Sequence, residues 1–289
     1  MQLSIALQNT LKQKLKTRSL LFQPIAGGSI NKTYQLIADD HKFFCKINSA
    51  KEFPQLFIKE SKGLEAIQKT ETIKVPAVID CFQIDDQQVL IMEWIKEGKR
   101  SENFWKNFGV SLAALHSISN KQYGYSEDNY MGSIEQSNEW NSKWNTFFIE
   151  QRLKPLVAKC IRKSLLTTIK HQAVFEKLYV QLPHFFEDQQ PALLHGDLWS
   201  GNFMCSDRFE PVLIDPAVYY GHRSMDLAMT TLFGGFHALF YQAYQYHFSF
   251  PANYLMQWRI CNLYPLLIHL LLFGKSYLSQ IEQTLNEYG

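Results

Sequence analysis

The sequence predicts an α+β protein of two lobes, a small antiparallel-sheet N-lobe over residues 1–95 and a larger, mainly helical C-lobe over 96–289. Three observations carry this expectation. The first 95 residues are strand-rich, in short runs set off by turns, with one internal helix. After Gly98 the apolar spacing lengthens to that of helices. The 289-residue length suffices for two lobes with real cores around one cleft.

Residues 3–16 carry apolar positions at helical spacing and predict a first helix, whose basic stretch "LKQKLKTR" (11–18) reads as its solvated side. "LFQPIAGGSINKTYQLIA" (21–38) reads as strand, glycine turn, strand, and "KFFCKINS" (42–49) as a third strand. Pro54 opens a helix over 54–69, because proline is tolerated in a first helical turn. "AVIDCFQIDDQQVLIMEWI" (77–95) gives two strands around the polar "DDQQ". A helix follows over 103–119, then a polar, aromatic, turn-rich segment (121–141) expected to be a long ordered loop. Two helices are expected between 142 and 187, with an irregularity at "KPL" (154–156). After the segment "LLHGDLWSGNFM" (193–204) come a strand "EPVLID" (210–215) and helices to the end.

Composition narrows the function classes. A net charge of +2 without a basic block argues against a nucleic-acid partner. The apolar run "YPLLIHLLLFG" (264–274) is too short to span a bilayer and reads as a buried helix. No basic region followed by an apolar run opens the chain, and Cys45, Cys81, Cys160, Cys205 and Cys261 have no metal-type spacing. Reduced thiols in a cytoplasmic protein are the expectation.

The chemistry concentrates in "LLHGDLWSGNFM". Asp197 and Asn202 stand on a turn, and the strand ending at Asp215 is expected to pair back as a hairpin that brings Asn202 and Asp215 together. An amide oxygen with a carboxylate suits Mg²⁺, which takes oxygen ligands and keeps phosphates in its shell. Asp197 is then left to take a proton from a hydroxyl, the division of labour of phosphoryl transfer. That reaction makes demands on the N-lobe. The turn Gly27, Gly28, Ser29, Ile30, Asn31 would lay backbone N–H groups over phosphates. Lys46, inside a strand, would meet them, oriented by an acid on the next helix; Glu60 is the first choice and Glu65 the competitor. Glu93, Trp94 and Ile95, at the lobe link, would offer main-chain groups to an adenine, although Met92 and Trp94 also suit a core.

The stretches "HGDLWSGNFM" and "LIDPAVYYGHRSMDLAM", with "GGSIN" (27–31), "LIMEW", "LAALH" (112–116), "DNYMGS" (128–133), "WNTFF", "QRLKP" and "HLLLFG" (269–274), resemble the fructosamine (ketosamine-3-) kinase family. That family has a protein-kinase-like fold related to aminoglycoside and choline kinases. The resemblance implies ATP and Mg²⁺ as cofactors and phosphorylation of the 3-hydroxyl of a small or protein-bound sugar-amine adduct, a deglycation repair. It implies Asp197 as base, Asn202 and Asp215 as metal ligands, Lys46 with Glu60 on the phosphates, and Trp199 and His269 in the sugar pocket. His269 equally fits a core histidine. Trp199, Tyr219, Tyr220 and His222 together read as a sugar-stacking set. Ser224 stands where the family has an acid, a departure expected to bear on Arg223 or on substrate choice, while Asp226 is retained. Another hydroxylated amine as acceptor, of aminoglycoside or choline type, and a nucleotide-binding pseudokinase remain the alternatives.

Overall fold

Strand alternation builds the first lobe. In the computed structural model, which describes residues 3–25 and 30–289, five strands form one antiparallel sheet: β1 (Leu20–Pro24), β2 (Lys32–Ala38), β3 (His41–Ser49), β4 (Val78–Ile84) and β5 (Gln87–Glu93). Their order is β1-β2-β3-β5-β4. Helix α1 (Ile5–Lys14) starts at Ser4, whose hydroxyl accepts the Leu7 N–H, and lays Leu7 and Leu11 on one sheet face against Leu36, Val89 and Ile91. Its lysines stay outside, and Lys14 reaches Asp80 at 2.9 Å.

Helix α2 (Leu56–Gln68) packs on the opposite face, where Leu90 and Met92 of β5 meet Phe57, Leu64 and Ile67. β5 is therefore buried on both sides, which is why "VLIM" lacks alternation. The start of α2 has no side-chain cap of its own; Gln88, buried in β5, accepts the Phe57 N–H and donates to the Ser49 and Phe53 carbonyls.

Helix α3 (Glu102–His116), capped by Ser101, opens the C-lobe. It crosses α8 (Ala238–His247) at Gly109, where a Cβ would stand 2.3 Å from the Phe240 carbonyl oxygen. The 121–141 segment, expected as loop, contains a short hairpin, β6 (Asn129–Met131) with β7 (Ile134–Gln136). Strands of three residues show no alternation to read. Helices α4 (Trp144–Phe147) and α5 (Lys154–Arg162) are joined by a π-helical turn over Phe148–Leu153. The irregularity thus precedes "KPL", because Pro155 lacks an N–H and the turn before it rewinds. A second π-helical turn leads into α6 (Ala173–Phe185).

Two small ribbons then frame the site. β8 (Ala192–Leu194) pairs with β11 (Tyr219–Gly221), and β9 (Phe203–Cys205) with β10 (Pro211–Leu213). Helices α7 (Ser224–Leu232), α9 (Tyr254–Cys261), α10 (Leu263–Phe273) and α11 (Leu278–Tyr288) complete the lobe. α10 is the buried apolar helix the sequence predicts. Among the described residues no helix is long and apolar enough to cross a membrane. All five cysteines are free, and Cys81 alone among them is partly exposed.

Candidate active site

The loop from His195 to Asn202 is fixed at both ends by strand pairing. Leu194 pairs with Tyr219, Phe203 pairs with Leu213, and the Ile214 N–H donates to the Asn202 carbonyl at 3.0 Å. The expected hairpin therefore forms and sets Asn202 beside the chain entering Asp215. His195 is fully buried; its Nε2–H donates to the Ile214 carbonyl (2.9 Å), and its Nδ1 accepts the Asp197 N–H (3.2 Å). Burial pushes its pKa down, so the imidazole is a neutral strut. Gly196 adopts φ +85°, and a Cβ there would lie 2.0 Å from the Ala217 carbonyl oxygen. Asp215 is also left-handed, at φ 56°.

Asp226, on α7, holds this loop from below. Its carboxylate accepts the N–H groups of His195 (2.7 Å) and Gly196 (2.9 Å) and faces His116 Nε2 at 3.2 Å; the Tyr244 hydroxyl lies 2.8 Å from His116 Nδ1. Burial opposes its charge, yet these partners, His116 foremost, hold its pKa below the usual carboxylate range. In the sequence Asp226 is only a retained residue of "GHRSMDLAM"; contacts from thirty or so positions away give it this role.

Above the loop, Lys46 is 2% exposed, with Nζ 2.7 Å from Glu60 Oε1 and 2.6 Å from Asp215 Oδ1. The choice between Glu60 and Glu65 is settled for Glu60. Burial disfavours the Lys46 ammonium, but Asp215 and Glu60 outweigh it and raise its pKa. Glu60 is pushed up to about 7 by burial, against the pull of Lys46. Asp197 is likewise pushed up to about 7, by burial first and then by the Asp215 charge, while its hydrogen bond from Asn202 pulls the other way. The Asn202 amide nitrogen donates to the Asp197 carbonyl (2.8 Å) and to Oδ2 (2.9 Å).

A cavity of about 310 Å³ opens between the lobes. Ile30, Asn31, Lys46 and Glu60 border it from the N-lobe, and Asp197, Trp199, Asn202, Asp215 and His269 from the C-lobe. Asn31 is held by Asn48, whose Nδ2 donates to its Oδ1 at 2.8 Å. Gly27, Gly28 and Ser29 lie outside the described residues. Glu93, Trp94 and Ile95 lie at the end of β5 and do not border this cavity. The Glu93 N–H donates to the Ala77 carbonyl at 2.8 Å, and its carboxylate accepts the Ala77 N–H (3.3 Å) and faces Lys74 Nζ (3.6 Å).

Three aromatic expectations are corrected. Tyr219 is fully buried, stacked on Phe147 with the Arg152 guanidinium 4.1 Å from its ring centre. His222 is buried against Trp144 and Phe186, and Tyr220 leans on Trp140. None of the three borders the cavity; Tyr219 and His222 pack against α4, and Tyr220 lies half-buried on the other face of β11. The aromatic wall is built from Trp199, His269 and Phe273, with Phe233 packed behind Trp199 and His269; Phe233 carries no sequence signal, and Phe273 only its place in "HLLLFG". His269 is half-buried, with Nδ1 2.7 Å from the Pro265 carbonyl oxygen, and burial lowers its pKa. Ser224 does not reach the cavity either: its hydroxyl donates to Gln257 at 2.9 Å, while Arg223 donates to the Phe248 and Ser249 carbonyls.

The donors fit a phosphate-bound cation. With its amide nitrogen on Asp197, Asn202 has its Oδ1 to offer; with Oδ1 on Lys46, Asp215 has Oδ2. Among the described residues no group of three His, Cys, Asp or Glu could hold a metal alone. Two protein oxygens are what Mg²⁺ takes when phosphates complete its shell.

The fructosamine kinase family model matches residues 1–288. The chain belongs to the fructosamine kinase family. A Synechocystis protein named for a ketoamine kinase is 41% identical over 268 residues, covering 91% of this chain and 88% of its own. An Arabidopsis thaliana protein named protein-ribulosamine 3-kinase, chloroplastic, is 34% identical over 272 residues, covering 91% and 81%. A crystal structure from Thermobifida fusca, named for a fructosamine-3-kinase, superposes with TM-score 0.86 at 29% identity, covering 98% of this chain and 97% of its own. The aminoglycoside phosphotransferase APH(4)-Ia, at TM-score 0.67 and 11% identity, shares the fold, covering 98% of this chain and 99% of its own. The bilobal, protein-kinase-like architecture of the fructosamine kinase family is thus this chain's own.

Proposed function

We propose that this member of the fructosamine kinase family transfers the γ-phosphoryl group of ATP to the 3-hydroxyl of a ketoamine, a ribulosamine- or fructosamine-type adduct on a free or protein-bound amine. The observation that carries the reading is the buried Lys46 clamped between Glu60 and Asp215 across one cavity from the Asp197–Asn202 pair. The ammonium of Lys46 meets the phosphates. Asp197 accepts the proton of the acceptor hydroxyl as its oxygen attacks the γ-phosphorus and ADP leaves. Asn202 keeps the Asp197 carboxylate aimed, and Asp226 keeps the loop backbone beneath it. Asn202 and Asp215 would hold Mg²⁺, which when bound neutralises phosphate charge. Trp199 and His269 bracket the sugar. The name of the Arabidopsis relative supports the 3-hydroxyl as acceptor. The 3-phosphate makes the adduct unstable and frees the amine, so the reaction serves deglycation. The free cysteines support a cytoplasmic setting.

ADP release with ATP, Mg²⁺ and ribulosyl-lysine, fructosyl-lysine, choline or kanamycin tests the reading. Turnover of a ribulosyl or fructosyl amine is expected. Turnover of choline or kanamycin alone would replace the acceptor class, and ATP binding without turnover of any acceptor would make the chain a pseudokinase.

A further inference from the structure

Beyond Trp199 the cavity mouth continues as a run of rings that phosphoryl transfer does not use. Trp199 meets Phe233 edge-on with ring centres 5.9 Å apart, and Phe233 leans on His269 at 4.8 Å. His269 in turn touches Phe273 at 5.3 Å and Tyr277 at 5.0 Å. The run is built by the end of α10: Gly274, at φ +88°, stops the helix after Phe273, and the turn Lys275–Tyr277 brings Tyr277 back over His269. Phe273 is 53% exposed, and Phe233 and Trp199 37% each. Contiguous exposed apolar surface beside a pocket marks a binding surface more often than a scattered ring does.

Volume says what this surface meets. At about 310 Å³ the cavity lies at the small end of ligand pockets, which run from roughly 300 to 1,000 Å³. The phosphates and the sugar share it, so whatever the amine is attached to must rest on the mouth. On the C-lobe side Trp199, His269 and Phe273 line that mouth, and Phe233 and Tyr277 extend it outward by packing against them. On the N-lobe side stands Lys59, half-buried over the Tyr130 ring at 5.0 Å. The rings form the larger surface and are continuous with Trp199.

We propose that Phe233, Phe273 and Tyr277, with the ring of His269, dock the carrier of the acceptor. They select ketoamines on a polypeptide whose modified lysine is flanked by apolar or aromatic side chains. This inference rests on the ketoamine reading above.

The test uses the full chain with ATP and Mg²⁺ and four acceptors. These are ribulosyl-methylamine and three acetylated tripeptides bearing ribulosyl-lysine between two glycines, two phenylalanines or two aspartates. The Phe-flanked peptide is expected to exceed the Gly-flanked one about fivefold to tenfold in kcat/KM, through KM, the size of one aromatic contact. Tyr277→Ala and Phe233→Ala are each expected to cut that ratio at least by half. Damage to the fold would lower both peptides together and leave the ratio unchanged. Equal rates on the Phe and Gly peptides, or a ratio that survives both substitutions, would overturn the docking surface while turnover of ribulosyl-methylamine upholds the ketoamine reading. Preference for the Asp-flanked peptide would also overturn it and assign the carrier to Lys59. Failure of all four acceptors would remove the ketoamine reading and this inference with it.

Discussion

Asp197 is a carboxylate whose surroundings oppose its charge. Its pKa, up to about 7 from an ordinary value of 3.8, has a consequence for stability as well as for catalysis. Between about pH 4 and pH 7 the unfolded chain has lost this proton and the folded chain keeps it, so the unfolded state binds fewer protons and stability falls as pH rises. Above pH 7 both forms are ionised and the loss is complete. In the nucleotide-free protein, Asp197→Asn should therefore raise Tm more at pH 8 than at pH 5, measured by thermal denaturation. Glu60 titrates in the same direction but is common to both proteins. The same substitution should lower kcat by about a hundredfold or more while leaving ATP affinity nearly intact, as removal of a general base does. An unchanged rate would take Asp197 out of its role. Asp226 behaves oppositely, being held ionised by the groups around it. Asp226→Ala would leave the His195 and Gly196 N–H groups without their acceptor and should cost about 3–5 kcal/mol in chemical denaturation, the range for breaking a buried charged network.

At the scale of elements, the loop depends on strands too short to be stable alone. β8 and β11 contribute three residues each, and the Ala217 N–H donates to the His195 carbonyl just inside their pairing. This close approach is why Gly196 has no substitute. Gly132, in the β6–β7 turn, has a similarly positive φ of +59°, but the nearest atom to a Cβ there is 3.9 Å away. The pair separates strain from crowding. Gly132→Ala should cost about 1–2 kcal/mol, the expense of a left-handed residue. Gly196→Ala should cost more and lower kcat as well, because the loop must shift away from Ala217. Equal unfolding midpoints for the two variants would contradict the crowding argument.

For the whole molecule the decisive contact joins the lobes. Lys46 and Glu60 come from the N-lobe and Asp215 from the C-lobe, so the Lys46–Asp215 pair sets the cavity's closure before any ligand arrives. A second link lies behind it, where the Leu213 N–H donates to the Lys74 carbonyl at 2.9 Å. A nucleotide bridging both lobes binds only the folded state. MgATP at a hundred times its Kd should add about 2.7 kcal/mol to stability. Asp215→Ala should weaken the Mg²⁺-dependent part of that binding; equal MgATP affinity by calorimetry would count against Asp215 as a ligand.

What the sequence by itself determined is what chain-local physics encodes. Short apolar runs between turn formers located the five sheet strands, helical spacing located α1, α2 and α3, and the turn residues of "LLHGDLWSGNFM" located the loop on which Asp197 and Asn202 stand. The hairpin to Asp215 was legible for the same reason, since a short polar turn joins its strands. Tertiary structure decided the rest. Glu60 over Glu65 depended on which side of α2 faces β3, a choice a helical pattern alone leaves open. Tyr219, Tyr220 and His222 were expected at the site, yet Tyr219 and His222 are buried in the packing and Tyr220 lies away from the cavity, because a three-residue strand carries too little pattern to show its buried face. Asp226 and Phe233 reach the loop from distant segments, through contacts no spacing rule records. Local pattern places a residue on an element; which residues share one small space is fixed only when the elements pack.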